Sequence, residues 1–353
     1  MKDRSGTPFS ELTTLRVGGP ADRLVDAEAE SEIVAAVQEV DETGGPLLVM
    51  GSGSNLLVAD QGVRGTVVRV ASRGVERRRV DGSVRLWVAA GEPWDELVLS
   101  CVSEGLSGLE CLSGIPGLTG ATPIQNVGAY GQEVAQTAVA VRAYDRQTTT
   151  VVELGPAQCG FGYRSSAFRG SDRYVVLAVS FELEPSPDAQ PVRYPELARV
   201  LGAEVGERVR LEAVREAVLG LRRSKGMVLD PADPDSVSAG SFFLNPLLSG
   251  AEAAALERRA RERLGHAMTV PTWPEAEGAI KVSAAWLIQR SGFAPGHGSG
   301  PAGISTKHTL ALVNRGGATA SDLVRLAREL RDGVRDVFGV MLTPEPRLVG
   351  INL

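Results

Sequence analysis

The chain has 353 residues, enough for two or three domains of ordinary size, and its 43% hydrophobic and 23% charged composition is that of an ordinary globular protein. A net charge of -6 excludes the basic footprint of a nucleic-acid binder. The three cysteines (Cys101, Cys111, Cys159) form neither an even disulfide framework nor a C-x-x-C pair, and the three dispersed histidines (His266, His297, His308) form no metal cluster. No run of about 18 apolar residues spans a membrane. The opening MKDRSGTPFS lacks the apolar stretch of a signal peptide. The expectation is a cytoplasmic protein with no metal, no nucleic-acid partner and no membrane insertion.

Residues 13–22 (TTLRVGGPAD) predict a short strand that breaks at Gly18-Gly19-Pro20. Residues 31–40 predict a helix: Ser31 can cap it, Ile33, Val34 and Val37 share a face, and Gly44-Gly45-Pro46 ends it. A buried strand at 47–50 runs at once into Gly51-Ser52-Gly53-Ser54-Asn55, and another apolar strand starts at Leu56. Small residues in such a loop let several N–H groups converge on an anion. The Gly-Lys-Ser/Thr of a Walker loop is missing, and Leu56 stands where the third glycine of a dinucleotide fingerprint belongs. A phosphate cradle and a tight β-turn both fit it.

Strands are expected at 66–70 and 84–90, with Arg77-Arg78-Arg79 as a solvated turn between strands. Residues 93–104 predict a helix with Pro93 near its first turn, Trp94, Leu97, Val98, Cys101 and Val102 on one side, and Gly105 as its stop. Next comes 113–131, SGIPGLTGATPIQNVGAYG, with five glycines, two prolines and no charged side chain, where a solvated loop would carry Lys, Glu or Asp. Such a segment can lie buried only if its backbone N–H and C=O groups find partners. Those partners are either a glycine-rich turn cluster inside a core, or a flat, oxygen-rich ligand laid along the main chain.

Strands follow at 139–144, 149–153 and 174–183, the last (YVVLAVSFEL) apolar enough to be central. Between the second and third, 161–169 (FGYRSSAFR) is both aromatic and basic. Residues 185–195 form a proline-rich excursion ending in Arg193-Tyr194-Pro195. Residues 211–222 predict a helix with Val214, Val218 and Leu221 inward; its end, Arg222-Arg223-Ser224-Lys225, suits the helix dipole. The Asp/Pro run at 227–238 reads as a domain border. Residues 239–246 (AGSFFLNP) predict a tight turn that buries two phenylalanines and presents Ser241. Beyond it lie a helix at 251–264, a loop at 273–278, a helix at 282–290 bearing Trp286, a flexible five-glycine stretch at 291–305, a strand at 308–314 and a long amphipathic helix at 321–338. In the tail, 342–353, Glu345 lies between two prolines. There is no internal repeat and no G-x-S-x-G, H-E-x-x-H or kinase signature.

Five motifs in this order, GSGSNLL at 51–57, SGIPGLTGATPIQNVGAYG at 113–131, GYRSSAF at 162–168, AGSFFLNP at 239–246 and LTPEPRLVG at 342–350, resemble the UDP-N-acetylenolpyruvoylglucosamine reductase family of peptidoglycan precursor synthesis, over nearly the whole chain. The resemblance implies an α+β fold: a two-part FAD-binding region of the vanillyl-alcohol-oxidase (PCMH-type) fold plus a separate α/β substrate-binding domain. It implies boundaries at 1–72 (FAD-binding subdomain 1, joined by the tail 346–353), 73–230 (FAD-binding subdomain 2) and 231–345 (substrate-binding domain). The implied activity is transfer of hydride from NADPH through non-covalent FAD to the enolpyruvyl ether of UDP-N-acetylglucosamine enolpyruvate, giving UDP-N-acetylmuramate, by a monomer. The alternative is an FAD-dependent oxidase or dehydrogenase of the same fold on another small substrate. Such enzymes often attach the flavin through His or Cys, and neither occurs in 51–57 or 113–131.

By the same resemblance, FAD is held by Gly51, Ser52, Gly53, Ser54, Asn55 and Leu56 of the first loop. The second loop adds Ser113, Ile115, Pro116, Gly117, Gly120 and Ala121, then Gln125, Asn126, Gly128, Ala129 and Tyr130. Arg164 matches the family's carboxylate-binding arginine, whose planar fork suits two oxygens. Glu345 matches a carboxyl that shares a proton with the substrate carboxyl, a role that burial favours. Ser241 matches the proton donor; a hydroxyl is a weak acid, but an enolate-type carbon is a strong enough base to take its proton. On residues alone, the three equally fit a surface arginine, a turn hydroxyl and a chain-end carboxylate. Tyr194 matches the tyrosine that folds over the substrate in the family's longer subclass, Lys225 and Asn245 match diphosphate contacts, and Tyr163 matches a position near the nicotinamide and substrate. Three departures stand out: Leu118-Thr119 for Thr-Val or Leu-Val, Leu244 for a frequent Lys, and Pro346 for a common Val.

Overall fold

The computed structural model describes residues 1–265 and 267–353; His266, counted above among the dispersed histidines, lies outside the described residues. Contacts divide the chain into two units. The first comprises Met1–Thr7, Ala21–Gly53 and Val63–Val228; the second comprises Pro8–Pro20, Ser54–Gly62 and Leu229–Leu353.

The first unit carries two sheets on one core. Its smaller sheet runs in the order Lys2–Arg4, Ala21–Ala27, Val63–Val70, Leu47–Met50. The last three strands are parallel, so crossovers must join them. The helix Glu30–Thr43 makes one, with Ile33, Ala36, Val37 and Val40 inward and Gly44 at φ 68° as its stop. The strand expected at 13–22 is absent: 13–19 carries none, and the strand begins at Ala21.

The larger sheet is antiparallel, in the order Thr150–Leu154, Ala138–Asp145, Tyr174–Pro185, Ser83–Ala89, Val75–Val80. Tyr174–Pro185 is central and buried over Val175–Val179 on both faces, which explains its unbroken apolar run. Arg77, Arg78 and Arg79 are solvated, yet they lie on the edge strand Val75–Val80 rather than in a turn. Charge on an edge strand discourages pairing with another chain. The two sheets share one core, in which Val25, Ile33 and Val68 join Leu86, Trp94, Cys101 and Phe181. Arg142 on Glu30 and Arg146 on Asp41 tie the Glu30–Thr43 helix to the larger sheet. The helix Trp94–Ser103 is as expected, and Trp94 Nε1 donates to Leu112 C=O at 3.1 Å. The excursion at 185–195 is anchored by Glu110, a fully buried carboxylate that accepts from Gly108 N–H (2.6 Å) and Gln190 N–H (2.7 Å). An unforeseen helix, Pro195–Leu201, follows it.

The second unit has a sheet in the order Ser238–Ser241, Ala311–Asn314, Ala302–Ile304 and another in the order Leu247–Leu248, Ile280–Val282, Thr272–Pro274. Several expectations are corrected here. Residues 239–241 belong to a strand and not to a turn. The stretch 273–278 begins inside a hairpin strand. The five-glycine stretch includes a strand, and its carbonyls are gathered by Arg315, which donates to Gly296 (2.7 Å), Ile304 (3.2 Å) and Gly298. The helices Gly250–Leu264, Ala284–Arg290 and Ala320–Phe338 cover a core of Phe242, Phe243, Leu287, Leu312, Leu323 and Phe338, to which Leu15, Val17 and Leu57 also belong. Asn314 holds the 13–19 segment there by donating to the carbonyls of Leu15 (3.0 Å) and Arg16 (3.3 Å). The tail strand Arg347–Val349 pairs in parallel with Leu56–Val58. Among the described residues, no helix is long and apolar enough to cross a membrane.

Candidate active site

The stretch 113–131 is bound to the first unit along its backbone. Gly114 N–H donates to Asp95 (2.6 Å), Gly117 C=O accepts from Trp94 N–H (3.1 Å), and Thr119 and Gly120 N–H donate to the carbonyls of Glu92 and Ala90 (both 2.8 Å). Gly120 is required by close approach: a Cβ there would lie 2.4 Å from Ala90 Cβ. Thr119, one of the departures, is fully buried, and its hydroxyl donates to Glu92 C=O at 3.1 Å. A Cβ on Gly51 would touch Leu118 Cδ1 at 3.1 Å, so the start of the first Gly/Ser loop lies against the second loop. Asp95 also receives the fork of Arg215 at 2.7 and 2.9 Å. Burial works to raise the Asp95 pKa, but Arg215 and Gly114 N–H outweigh it and hold it below its ordinary value.

The end of this stretch is strained. Among the described residues seven non-glycine residues have positive φ: two fall here, Asn126 (45°) and Tyr130 (49°), and a third, Arg164 (47°), donates to the carbonyls of this end. Each costs on the order of 1 kcal/mol and persists only where its surroundings impose it. Tyr130 and Gly131 turn a short hairpin that pairs Gly128 with Glu133 and Ala129 with Gln132. Arg164 sits on a second tight turn, closed by Gly162 and Ser165. Its guanidinium donates to the carbonyls of Asn126 (3.3 Å) and Gly128 (2.5 Å), with its carbon 5.5 Å from the Tyr163 ring centre. Tyr194 meets Tyr130 edge-on at 5.5 Å, Lys225 lies over the Tyr130 ring at 5.7 Å, and Lys225 pairs with Glu196 at 2.7 Å. Burial pushes the Tyr130 hydroxyl up to about 12. Burial, then Glu196, raises that of Tyr194. Thus Arg164, Tyr194 and Lys225 border the 126–131 segment within one unit, and Tyr163 lies against Arg164.

Ser241 and Glu345 come together in the second unit. Ser241 ends a strand, and the next residue, Phe242, accepts Glu345 N–H on its C=O at 2.8 Å. Leu244 N–H donates to Thr343 C=O (3.0 Å), and Arg347 N–H to Asn55 C=O (3.0 Å). The tail thus runs between the Phe242 segment and Asn55. Pro346 costs nothing here, because the N–H groups that pair are those of Glu345 and Arg347. Ser54 lies in this unit too, its C=O accepting from the Thr14 hydroxyl at 3.4 Å, and Leu56 opens the strand that pairs with the tail. Asn245 uses its side-chain oxygen to accept from Ala284 N–H at 2.9 Å, at the start of a helix. Nothing in the structure explains Leu244.

Three side chains at these loops escaped the sequence reading. Asp95 was seen only as a helix residue. Glu133 lies just past the glycine-rich stretch. Arg222 was assigned to the helix dipole, yet it is buried beside Gly114: its Nη2 donates to Met227 C=O (2.7 Å), and its buried Nε has no hydrogen-bond partner among the described residues. Burial lowers its pKa. A charged residue flanking an uncharged glycine-rich stretch is the available signal for Glu133; Asp95, inside a helix 18 residues before the stretch, carries none.

Two family matches cover most of the chain: "FAD binding domain" over residues 21–155 and "UDP-N-acetylenolpyruvoylglucosamine reductase, C-terminal domain" over 231–349. The chain is 56% identical to the UDP-N-acetylenolpyruvoylglucosamine reductase of Thermobifida fusca, over 98% of both chains. It is 55% identical to that of Streptomyces coelicolor, over 98% of this chain and 90% of the other. A solved structure of the reductase from Thermus caldophilus superposes with a TM-score of 0.67 at 27% identity, over 99% of both chains. The fold is accordingly α+β, an FAD-binding region of the vanillyl-alcohol-oxidase (PCMH) type with a separate α/β domain after it. With matched sequence from end to end, the chain belongs to the UDP-N-acetylenolpyruvoylglucosamine reductase family.

Proposed function

We propose that the chain reduces the enolpyruvyl ether of UDP-N-acetylglucosamine enolpyruvate to UDP-N-acetylmuramate, with NADPH as hydride donor and non-covalent FAD as carrier, in peptidoglycan precursor synthesis. Family membership over nearly the whole length supports the activity. The single observation that supports the residue assignment is the 2.8 Å hydrogen bond from Glu345 N–H to Phe242 C=O, which keeps the backbone of the tail at Glu345 beside the strand end that bears Ser241. The residues present fit FAD: Gly120 brings the second loop against the Ala90 backbone, Gly51 sets the first loop against Leu118 of the second, and the buried Arg222 guanidinium beside Gly114 suits an anionic group of the cofactor. When bound, FAD supplies a two-electron carrier between NADPH and the methylene carbon of the substrate.

The chain's own residues then do the following. Arg164 takes the substrate carboxylate with its planar fork and stabilises the charge that spreads into it as hydride arrives at the neighbouring carbon. Ser241 gives the resulting carbanionic centre a proton. Glu345 shares a proton with the substrate carboxyl. Lys225 and the NH2 of Asn245 hold the diphosphate, Tyr194 folds over the substrate, and Tyr163 flanks the nicotinamide and substrate. In this reading 1–72 with 346–353, 73–230 and 231–345 act as the two FAD-binding subdomains and the substrate-binding domain. The enzyme works in the cytoplasm and as a monomer, the latter in keeping with an arginine-rich edge strand that discourages strand pairing between copies.

The test is a visible absorption spectrum under nitrogen. Flavin bands should bleach with NADPH and return with the enolpyruvyl sugar nucleotide. Bands that return only with oxygen point to an oxidase. Ser241→Ala should leave flavin reduction by NADPH intact and slow reoxidation by substrate by a factor on the order of 10² or more. Equal loss in both half-reactions overturns the proton-donor role.

A further inference from the structure

We propose that Glu133 is a positioning residue for Arg164, holding the plane of its guanidinium for the substrate carboxylate. The inference rests on the reading of Arg164 given above. The hairpin that turns at Tyr130-Gly131 sets Glu133 directly opposite Gly128. Glu133 Oε1 lies 3.8 Å from Arg164 Nη1, and Glu133 Oε2 accepts from Asn126 Nδ2 at 2.8 Å. The Glu133 N–H donates to Gln136 Oε1 at 3.3 Å, which fixes its backbone at the start of the short turn Val134–Gln136. Its carboxylate is therefore held by the Asn126 amide on one side and faces the arginine on the other.

Asn126 is the hub of this arrangement. It is 1% exposed, donates its amide to Glu133 and to Gly162 C=O (3.1 Å), and accepts Ala135 N–H on its oxygen (2.9 Å). It thus ties the turn that carries Arg164 to the hairpin that carries Glu133. Gly128 completes the fit. A Cβ there would lie 2.7 Å from Glu133 Cγ and 3.0 Å from Arg164 Nη1, so any side chain would part the two. Two loop carbonyls and one carboxylate surround one edge of a guanidinium whose side chain is 18% exposed, on a backbone held at φ 47°. A surface arginine needs none of this. An arginine that must meet a planar carboxylate with both oxygens does, since a misplacement of about 1 Å can cost on the order of 10² in rate.

Charge and orientation oppose one another at this site, which gives the test its readout. Removing the Glu133 charge takes a repelling group away from an anionic substrate, so affinity should hardly weaken. Losing the fixed plane should instead slow the chemical step. Glu133→Gln keeps an acceptor for Asn126 and removes only the charge. In stopped-flow experiments on the FAD-loaded enzyme, its flavin reduction by NADPH should stay within about twofold of the parent. Its reoxidation at saturating enolpyruvyl sugar nucleotide should fall about tenfold or more, with KM changed less than about threefold. Glu133→Asp should recover part of the rate. Glu133→Gln placed in Arg164→Lys should add nothing further, because Glu133 acts through the arginine. Reoxidation at the parental rate in Glu133→Gln, with Arg164→Lys slow, overturns this proposal alone. Parental reoxidation in Arg164→Lys overturns the reading of Arg164 and this proposal with it. Equal loss of both half-reactions together with lost flavin identifies Glu133 as a folding residue and also overturns it.

Discussion

At Gly120 the absence of one carbon decides how the backbone of the glycine-rich stretch packs. A methyl group there would stand 2.4 Å from Ala90 Cβ and 2.9 Å from Ala90 Cα, against backbone that cannot yield. Gly51 is a milder case, since its added methyl would meet only the end of the Leu118 side chain at 3.1 Å. Gly120→Ala should therefore destabilise by about 2 kcal/mol and weaken FAD retention, while Gly51→Ala costs less. Urea midpoints and bound flavin per chain measure both; equal effects would mean that backbone approach at Ala90 is not the constraint. The lack of charge in 113–131 did point to a stretch held by its backbone. The particular partners, Glu92, Ala90 and Asp95, were not legible, because hydrogen bonds to the main chain leave no residue pattern.

Among the elements, the helix Ala320–Phe338 shows where periodicity suffices and where it fails. The amphipathic pattern over 321–338 puts Leu323, Leu326, Ala327, Leu330, Val334 and Val337 on one face, and all but the half-buried Val337 are buried. Its start is held by more than the local box of Thr319 and Asp322. Asp60 accepts from Ala320 N–H (2.7 Å), Ser321 N–H (3.0 Å) and the Ser321 hydroxyl (2.6 Å). A carboxylate there also faces the positive end of the helix dipole. Asp60→Ala should cost about 1 kcal/mol. Asp60→Asn, which keeps an acceptor without the charge, should cost less; a urea midpoint unchanged in both would show that the local box alone secures the helix. A cap supplied from 260 residues away cannot be read from sequence windows. The same holds for Arg315, whose guanidinium turns a glycine run that looked flexible into an ordered stretch, and for Pro195–Leu201, hidden by the prolines before it.

For the whole molecule, the order of motifs was legible from end to end, but their grouping was not. Residues 8–20 and 54–62 pack with 229–353, and reading consecutive blocks cannot show that. Charge pairing is likewise a property of the folded chain, and it sets the acid response. Arg173 holds Asp145 at about 2, below its ordinary 3.8. Asp95 is lowered because Arg215 and Gly114 N–H outweigh burial. Arg85 lowers Glu182, and Arg208 with Gln190 lowers Glu184. Each of these carboxylates has a lower pKa folded than unfolded, so the unfolded chain binds protons first as pH falls. Their stabilisation is complete above the unfolded values and is lost as pH drops through the folded ones. The urea midpoint should therefore stay level from pH 7 to about pH 5 and fall steeply between about pH 4 and pH 2. Asp145→Asn should lower the plateau and flatten that fall. A parental slope in Asp145→Asn would remove the Asp145–Arg173 pair from the account, and a midpoint that rose on acidification would contradict all four assignments together.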